Sequence, residues 1–248
     1  MFRSTSTYPP LNCLKQVADN VWIVDGPTIH FRLPWPKLTF ATWMTVVRLS
    51  NGDLFVHSQT PLTPKLRSQM EAEGPIRHLI GPNRIHYWWL PEWRAAFPSE
   101  DVWLAPRIRE QADMRIDFPA FEIDTDEGYP WDADIETILV PGAFMSEVDF
   151  FHHPSRTLVL TDLIENFEPE KVGSWPKRLL YRLGGVLDPH GSMPSDLWRT
   201  FAENRGDLRH AVERMIALDP ERVILAHGRW YERDGAVELR RAFAWLLD

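Results

Sequence analysis

The chain has 248 residues, of which 44% are hydrophobic and 25% are charged. This is the balance of an ordinary globular protein, and it excludes a chain that is disordered throughout. Cys13 is the only cysteine, so a disulfide scaffold is excluded as well. The 27 Lys and Arg against 35 Asp and Glu give a net charge of −8, which argues against a nucleic-acid partner.

The first third of the chain predicts alternating strands and helices. Strands are expected at 21–24, 41–49 and 54–57, with a hairpin turn at Asn51-Gly52-Asp53. A helix follows, with Thr63 as its cap, Pro64 at its first position and Gly74 after its end. A strand at 76–80, a helix at 87–97 and a strand at 102–105 complete a βαβ pattern.

The rest of the chain is mixed. Residues 113–131 indicate short strands and turns, and three strands are expected at 135–140, 148–152 and 157–161. Further predicted elements are helices at 175–187, at 195–202 with Ser195 as its cap, at 207–218 and at 236–247, and a strand at 223–226. No linker divides the chain, so one domain is expected over residues 1–248.

No targeting or membrane-spanning segment is predicted. The N-terminal residues lack an apolar core, and no apolar run approaches the ~18 residues that cross a bilayer. We therefore expect a cytoplasmic protein with no membrane partner. Residues 177–187 are basic and amphipathic, and they favour a helix packed on the protein surface over a helix that touches a membrane.

Three polar residues lie at or just past the ends of strands that are predicted to be buried. Asp162 and His227 directly follow such strands, and His86 lies in the loop after another. Buried strands deliver such side chains to one edge of a sheet, where the sites of α/β proteins are assembled. Two imidazoles and a carboxylate are suited to a divalent metal with open positions. The alternative is three unrelated residues that cap or bond to loops, and spacing alone favours that alternative.

From Val21 to Gly228 the order of elements resembles the metallo-β-lactamase superfamily. The superfamily's His-x-His-x-Asp-His loop falls on residues 81–86, where only His86 matches. Its Pro-Gly-His turn falls on 141–143, where Ala143 replaces the histidine, and its later ligands correspond to Asp162 and to His227 before Gly228. The chain also resembles uncharacterised bacterial relatives of these enzymes. The resemblance implies a four-layer α/β/β/α sandwich with its site along one edge of both sheets.

The resemblance also implies a reduced metal site. Gly81, Asn83 and Ala143 stand where one ion would be held, so that ion is expected to be absent. His86, Asp162 and His227 would hold the other ion, a single Zn²⁺ or Fe²⁺. The alternative is that the chain holds no metal. Ile85 replaces the aspartate that often orients or deprotonates the attacking water in such enzymes.

A replacement base would have to come from elsewhere in the chain. By position alone, the candidates are Glu147, Glu165 and His57, and a structural role is favoured for each.

Two functions follow from these residues. The first is a metal-dependent hydrolase acting on a small ester, lactone, thioester or phosphoester. The second is a non-catalytic protein of the same fold that binds a small molecule or a partner. The sequence leaves both open, and it also leaves a homo-oligomer possible.

Overall fold

Two β-sheets and eight helices make up the computed structural model over residues 7–30, 39–112, 115–173, 175–195 and 197–248, which are the residues it describes. The first sheet has seven strands in sequence order: β1 (Lys15–Ala18), β2 (Val21–His30), β3 (Thr39–Arg48), β4 (Leu54–His57), β5 (Ile76–Gly81), β6 (Asp101–Leu104) and β7 (Phe121–Glu122). Strands β1 to β4 are antiparallel, and β4 to β7 are parallel. The parallel half arises because a helix follows each of β4, β5 and β6: α1 (Pro64–Glu73), α2 (Leu90–Ala96) and α3 (Ile108–Ala112).

The second sheet has four strands in the order β11, β10, β9, β8. Its strands are β8 (Ile135–Val140), β9 (Glu147–His152), β10 (Thr157–Val159) and β11 (Arg222–Ile224). The helices of this half are α4 (Trp175–Leu183), α5 (Trp198–Phe201), α6 (Arg205–Ala217), α7 (Gly235–Ala242) and α8 (Ala244–Leu247). Strands β10 and β11 are parallel, so their carboxyl ends lie at the same edge of the sheet.

The two sheets pack face to face. Phe55 of the first sheet lies 5.0 Å from Phe150 of the second, measured between ring centres. The next residue, Phe151, belongs to a separate core with Val212 and Met215 of α6. Because successive side chains of a strand point to opposite faces, the second sheet has one face on the first sheet and one on helices. With Leu66 of α1 in the core of the first sheet, the result is the expected four-layer α/β/β/α sandwich.

Most predicted elements are found with small shifts at their ends. Strands β4 and β8 have the predicted bounds, and Thr63 caps α1 by accepting a hydrogen bond from the amide of Leu66 at 3.2 Å. Two predictions are wrong. The residue before α5 is Leu197, which makes no side-chain cap bond, and not the predicted cap Ser195. The predicted C-terminal helix is broken at Phe243 into α7 and α8.

Helix α4 differs most from its expectation. It ends at Leu183 rather than near 187, and none of its residues is buried. Its large apolar side chains are instead exposed to solvent. The amphipathic pattern is present, but the apolar face of this helix packs on none of the residues that the structure describes.

Among the described residues, no helix combines the length and the apolar composition that crossing a bilayer requires.

Candidate functional site

His86, Asp162 and His227 meet at one edge of the sandwich. His86 lies in the loop after β5 of the first sheet, whereas Asp162 and His227 follow β10 and β11 of the second. One nitrogen from each histidine and one carboxylate oxygen lie within 4.8 Å of one another, and all three residues are buried. Sequence reasoning expected these three side chains at a common edge, and the fold places them there.

The carboxylate of Asp162 lies between the two imidazole rings. Its Oδ2 is 3.3 Å from Nε2 of His86, and its Oδ1 is 3.3 Å from Nε2 of His227. The centres of the two rings are 5.2 Å apart. These atoms therefore form a compact set of two nitrogen donors and one carboxylate, which matches the ligands that Zn²⁺ and Fe²⁺ take in proteins.

The far nitrogen of each ring is held by the protein. Nδ1 of His227 lies 3.0 Å from the backbone carbonyl oxygen of Ala41, and because a carbonyl only accepts, Nδ1 must carry a proton. Nδ1 of His86 lies 2.8 Å from Oγ of Ser58. A backbone carbonyl behind a histidine is a typical support for a metal ligand, because it directs the lone pair of Nε2 away from itself.

The tautomer of His227 provides a test of whether the residues fit a metal. In the neutral ring, Nε2 presents a lone pair toward Oδ1 of Asp162, and two acceptors facing each other are unfavourable. A cation between them, either a metal ion or a second ring proton, removes this conflict. The donor set therefore fits a divalent metal ion.

Electrostatics at Asp162 are governed by the two histidines. Burial alone would raise the pKa of this carboxyl, but the charges and hydrogen bonds of His86 and His227 outweigh burial and lower it well below its usual range. Burial also lowers the pKa of His227, and the hydrogen bond and charge of Asp162 reverse this and raise it. Asp162 is thus ionised, as a metal ligand must be.

Glu147, the first candidate base, is instead bonded to the backbone. Its Oε1 accepts hydrogen bonds from the amides of Thr161, Asp162 and Leu163 at 2.8, 3.0 and 3.2 Å. Its Oε2 accepts from the amide of Asp162 at 2.9 Å. The side chain is fully buried. Glu147 therefore fixes the segment that carries Asp162, and its lone pairs are already engaged.

Asn83 connects Glu147 to the cluster. Its Nδ2 donates to Oδ2 of Asp162 at 2.6 Å and to Oε2 of Glu147 at 3.3 Å. Its Oδ1 accepts from the amides of Ile85 and His86 at 3.0 Å each. Asn83 thus orients both the loop of His86 and the carboxylate of Asp162.

The two other candidate bases lie on different sides of the cluster. His57 ends β4 and is buried, and burial together with the charge of His86 lowers its pKa to about 3, so it is neutral. Its Nε2 has no hydrogen-bond partner in the described part of the chain, and its ring packs on Phe150 at 5.6 Å. Glu165 is half-buried, and its charge contributes to the raised pKa values of His227 and Tyr181.

A cavity of about 230 Å³ is lined by Gly228, the residue that follows His227, but not by the three residues of the cluster. Ala41 and Gly228 line it, and so does Phe167, whose ring is nearly parallel to that of His227 at 6.4 Å. Lys171 and Lys177 contribute two cationic side chains to its wall. Ligand pockets commonly hold ~300–1,000 Å³, and this cavity is smaller, so only a small molecule would fit in it.

Sequence reasoning missed three supporting groups of the site. The carbonyl of Ala41 carries no side-chain signal. Ser58 follows a strand as many serines do, and Asn83 was read only as a lost ligand. The sole available sign for Asn83 was its place in a short polar loop before His86, where asparagine side chains often bond to backbone amides.

A family model described as "Domain of unknown function (DUF4336)" matches residues 36–181. No curated protein sequence matches the chain.

Solved metallo-β-lactamases share its fold. The DIM-1 enzyme, in a crystal exposed to ceftazidime, is 14% identical, with a TM-score of 0.62 over 99% of this chain and 98% of that one. An enzyme from Pontibacter korlensis is 10% identical, with a TM-score of 0.58 over 95% and 98%. FIM-1 from Pseudomonas aeruginosa, in its mono-zinc form, is 12% identical, with a TM-score of 0.58 over 95% and 96%. The chain therefore has the metallo-β-lactamase fold, which confirms the resemblance seen in its sequence.

Proposed function

The chain belongs to the family "Domain of unknown function (DUF4336)", and we propose that it is a hydrolase that uses one divalent metal ion. His86, Asp162 and His227 are the proposed ligands. The observation that carries the proposal is the arrangement of these three side chains, with Nδ1 of His227 committed to the Ala41 carbonyl and Nε2 facing Asp162. The mono-zinc form of FIM-1, a protein of the same fold, supports a single ion.

A divalent ion held there supplies Lewis acidity and lowers the pKa of water toward ~7. The chain's own residues provide the rest. Asp162 supplies the negative charge that balances part of the ion's charge, and Asn83 and Glu147 keep its carboxylate in place. The small cavity beside His227 is the proposed position of the substrate, an ester, lactone, thioester or phosphoester of low mass.

Glu165 is the proposed source of proton transfer among the three candidate bases. Glu147 has its oxygens engaged by backbone amides, and His57 is buried and neutral. Glu165 is half-buried and lies near enough to His227 to influence its pKa. Its side chain is only half-buried, whereas Glu147 and His57 are buried, and this difference in exposure supports the choice of Glu165.

The second candidate function is a non-catalytic protein that binds a small molecule or a partner. One observation favours it: both oxygens of Asp162 already have partners inside the protein. With a proton on Nε2 of His227, the cluster is a complete ion-paired network that holds the two sheets together.

Metal content tests the proposal directly. The untagged protein is supplemented with Zn²⁺ or Fe²⁺, desalted and analysed by mass spectrometry for metal per chain, beside His227→Ala and the control His210→Ala, which changes an exposed histidine of α6. We expect about one ion per chain in the wild type and in the control, and almost none in His227→Ala. A wild-type value near zero would overturn the metal site and leave the second function.

Activity is measured on the metal-loaded protein with chromogenic esters, lactones, thioesters and phosphodiesters. Hydrolysis that falls about a hundredfold or more in Glu165→Gln, while the metal content stays at the wild-type value, would support Glu165 as the proton-transfer group. Unchanged hydrolysis in that variant would exclude this role. A metal-loaded protein that hydrolyses none of these probes would favour the non-catalytic alternative.

A further inference from the structure

Helix α4 presents its apolar side to solvent. Trp175 and Leu183 are 73% and 78% exposed, and Leu179 and Leu180 are about half exposed. At 100° per residue these four side chains share one arc of the helix. In most surface helices such an arc is buried against the protein, so α4 has an apolar face that the described part of the chain leaves uncovered.

The opposite arc holds the helix on the protein. The ring of Tyr181 packs edge-on against Phe167, with centres 4.9 Å apart. Nε of Arg178 donates to the carbonyl oxygen of Val172 at 2.9 Å. Because these contacts are made by the polar side, the outward direction of the apolar arc is fixed by the structure.

Charge distinguishes α4 from the rest of the chain. The helix contains Lys177, Arg178 and Arg182 and no acidic residue, in a protein whose net charge is −8. Leucines and a tryptophan on one arc with lysine and arginine beside them are the composition of helices that lie in the headgroup region of a membrane. Arg182 lies beside Trp175 at the edge of the apolar arc, and its long side chain can extend to lipid phosphates, whereas Arg178 is bonded to the protein and Lys177 lines the cavity.

A second copy of the chain is a poorer occupant. The four apolar side chains expose roughly 400 Å² together, about half of the ~800 Å² per partner in a stable protein interface. A symmetric contact through α4 would also bring two sets of three cations together. From the exposed arc and the local charge, we propose that α4 docks the protein on the surface of an anionic phospholipid bilayer, without spanning it.

Vesicle flotation tests the proposal. The full chain is mixed with vesicles of phosphatidylcholine alone or with about 30% phosphatidylserine, and the bound fraction is measured at low and high salt. We expect binding to the anionic vesicles, weaker binding in high salt and little binding to phosphatidylcholine. The metal site takes no part in this measurement, so its result is independent of the proposed hydrolase function.

Variants of α4 locate the contact. Trp175→Ser combined with Leu183→Ser removes the ends of the apolar arc and is expected to weaken binding more than about tenfold. Val237→Ser, which changes an apolar residue of α7 that is 62% exposed, is the matched control and leaves binding unchanged. Arg182→Glu is expected to weaken binding about tenfold, whereas Arg182→Lys retains it.

Three outcomes would overturn the proposal: no binding of the wild type to anionic vesicles, binding that the α4 variants leave unchanged, or a dimer in sedimentation velocity that the α4 variants dissociate. The last would assign the face to a second copy. If the double variant does not fold, as judged by circular dichroism, Arg182→Glu and the salt dependence decide the matter.

Discussion

Two neighbouring groups of polar residues lie at the same edge of the sandwich, and they use their lone pairs differently. In the cluster of His86, Asp162 and His227, the Nε2 atoms of both rings point at one carboxylate, and the supporting bonds are made by the other ring nitrogens. In the group of Asn83 and Glu147, all three side-chain oxygens accept hydrogen bonds from backbone amides. The first group is the proposed cation site, and the second holds the backbone.

Substitutions in the two groups should therefore have different effects. Changes in the backbone-holding group should lower the stability of the metal-free protein. Changes that displace a ligand should lower metal content as well. The predictions below test that division, from the largest expected effect to the smallest.

Glu147→Gln should give the largest loss of stability. Glutamine keeps one acceptor oxygen and turns an NH₂ group toward amides that now bond to a carboxylate, so several charge-assisted hydrogen bonds are lost. We expect the free energy of unfolding in urea, followed by tryptophan fluorescence, to fall by about 3–4 kcal/mol. Glu122→Gln, on an exposed strand residue, is the control and should be near neutral. A change below about 0.5 kcal/mol in Glu147→Gln would refute its backbone-holding role.

Gly228→Ala should affect both properties. Gly228 has φ +89°, and an added Cβ would lie 2.1 Å from the backbone oxygen of Asn166, so the segment that carries His227 must move. We expect a loss of about 2–3 kcal/mol in urea unfolding together with loss of the bound metal.

The matched control is Gly206→Ala in helix α6, where an added Cβ meets nothing within 4 Å. Alanine is the better helix former, so this change should stabilise the protein by about 0.5–1 kcal/mol. Metal binding that survives in Gly228→Ala would show that the position of His227 does not depend on this close approach.

Asn83→Asp converts a donor into a third carboxylate. Its new oxygen would face Oδ2 of Asp162, where the donor Nδ2 now lies at 2.6 Å. The free energy of unfolding of the metal-free protein, measured in urea with a chelator present, should therefore fall by about 2 kcal/mol. With Zn²⁺ added, the loss should shrink, because a cation offsets the like charges. Asn51→Asp, in the exposed turn before β4, is the control. An equal loss with and without Zn²⁺ would mean that the two groups do not share an electrostatic environment.

His152, at the other end of β9, provides a pH effect that belongs to neither group. Burial lowers its pKa to about 4; the charge of Asp134 opposes this shift and that of His153 adds to it. Because the unfolded chain binds a proton near pH 6.5 and the folded protein does not, stability is lost as the pH falls from about 6.5 to about 4. Between pH 7 and pH 5, the free energy of unfolding should therefore fall by about 1–2 kcal/mol less in His152→Gln than in the wild type. Identical pH profiles of unfolding would contradict the burial effect.

The sequence predicts the frame of this site better than its supports. The position of a strand could be read from runs such as 157–161, although β10 ends at Val159, and residues that follow a buried strand fall near a sheet edge. The role of Glu147 could not be read, because its partners are backbone amides 14–16 residues away whose approach depends on the pairing of β9 with β10. Helix α4 shows the same limit: periodicity reveals an apolar face, but only the packed structure shows that the face points outward.

The bond between His227 and the carbonyl of Ala41 joins residues 186 positions apart in the chain. Closing so long a loop is entropically costly, and the rest of the fold must compensate for that cost. The three side chains come together only when segments from both ends of the chain are in place. A complete cluster is therefore itself a marker of a fully folded protein.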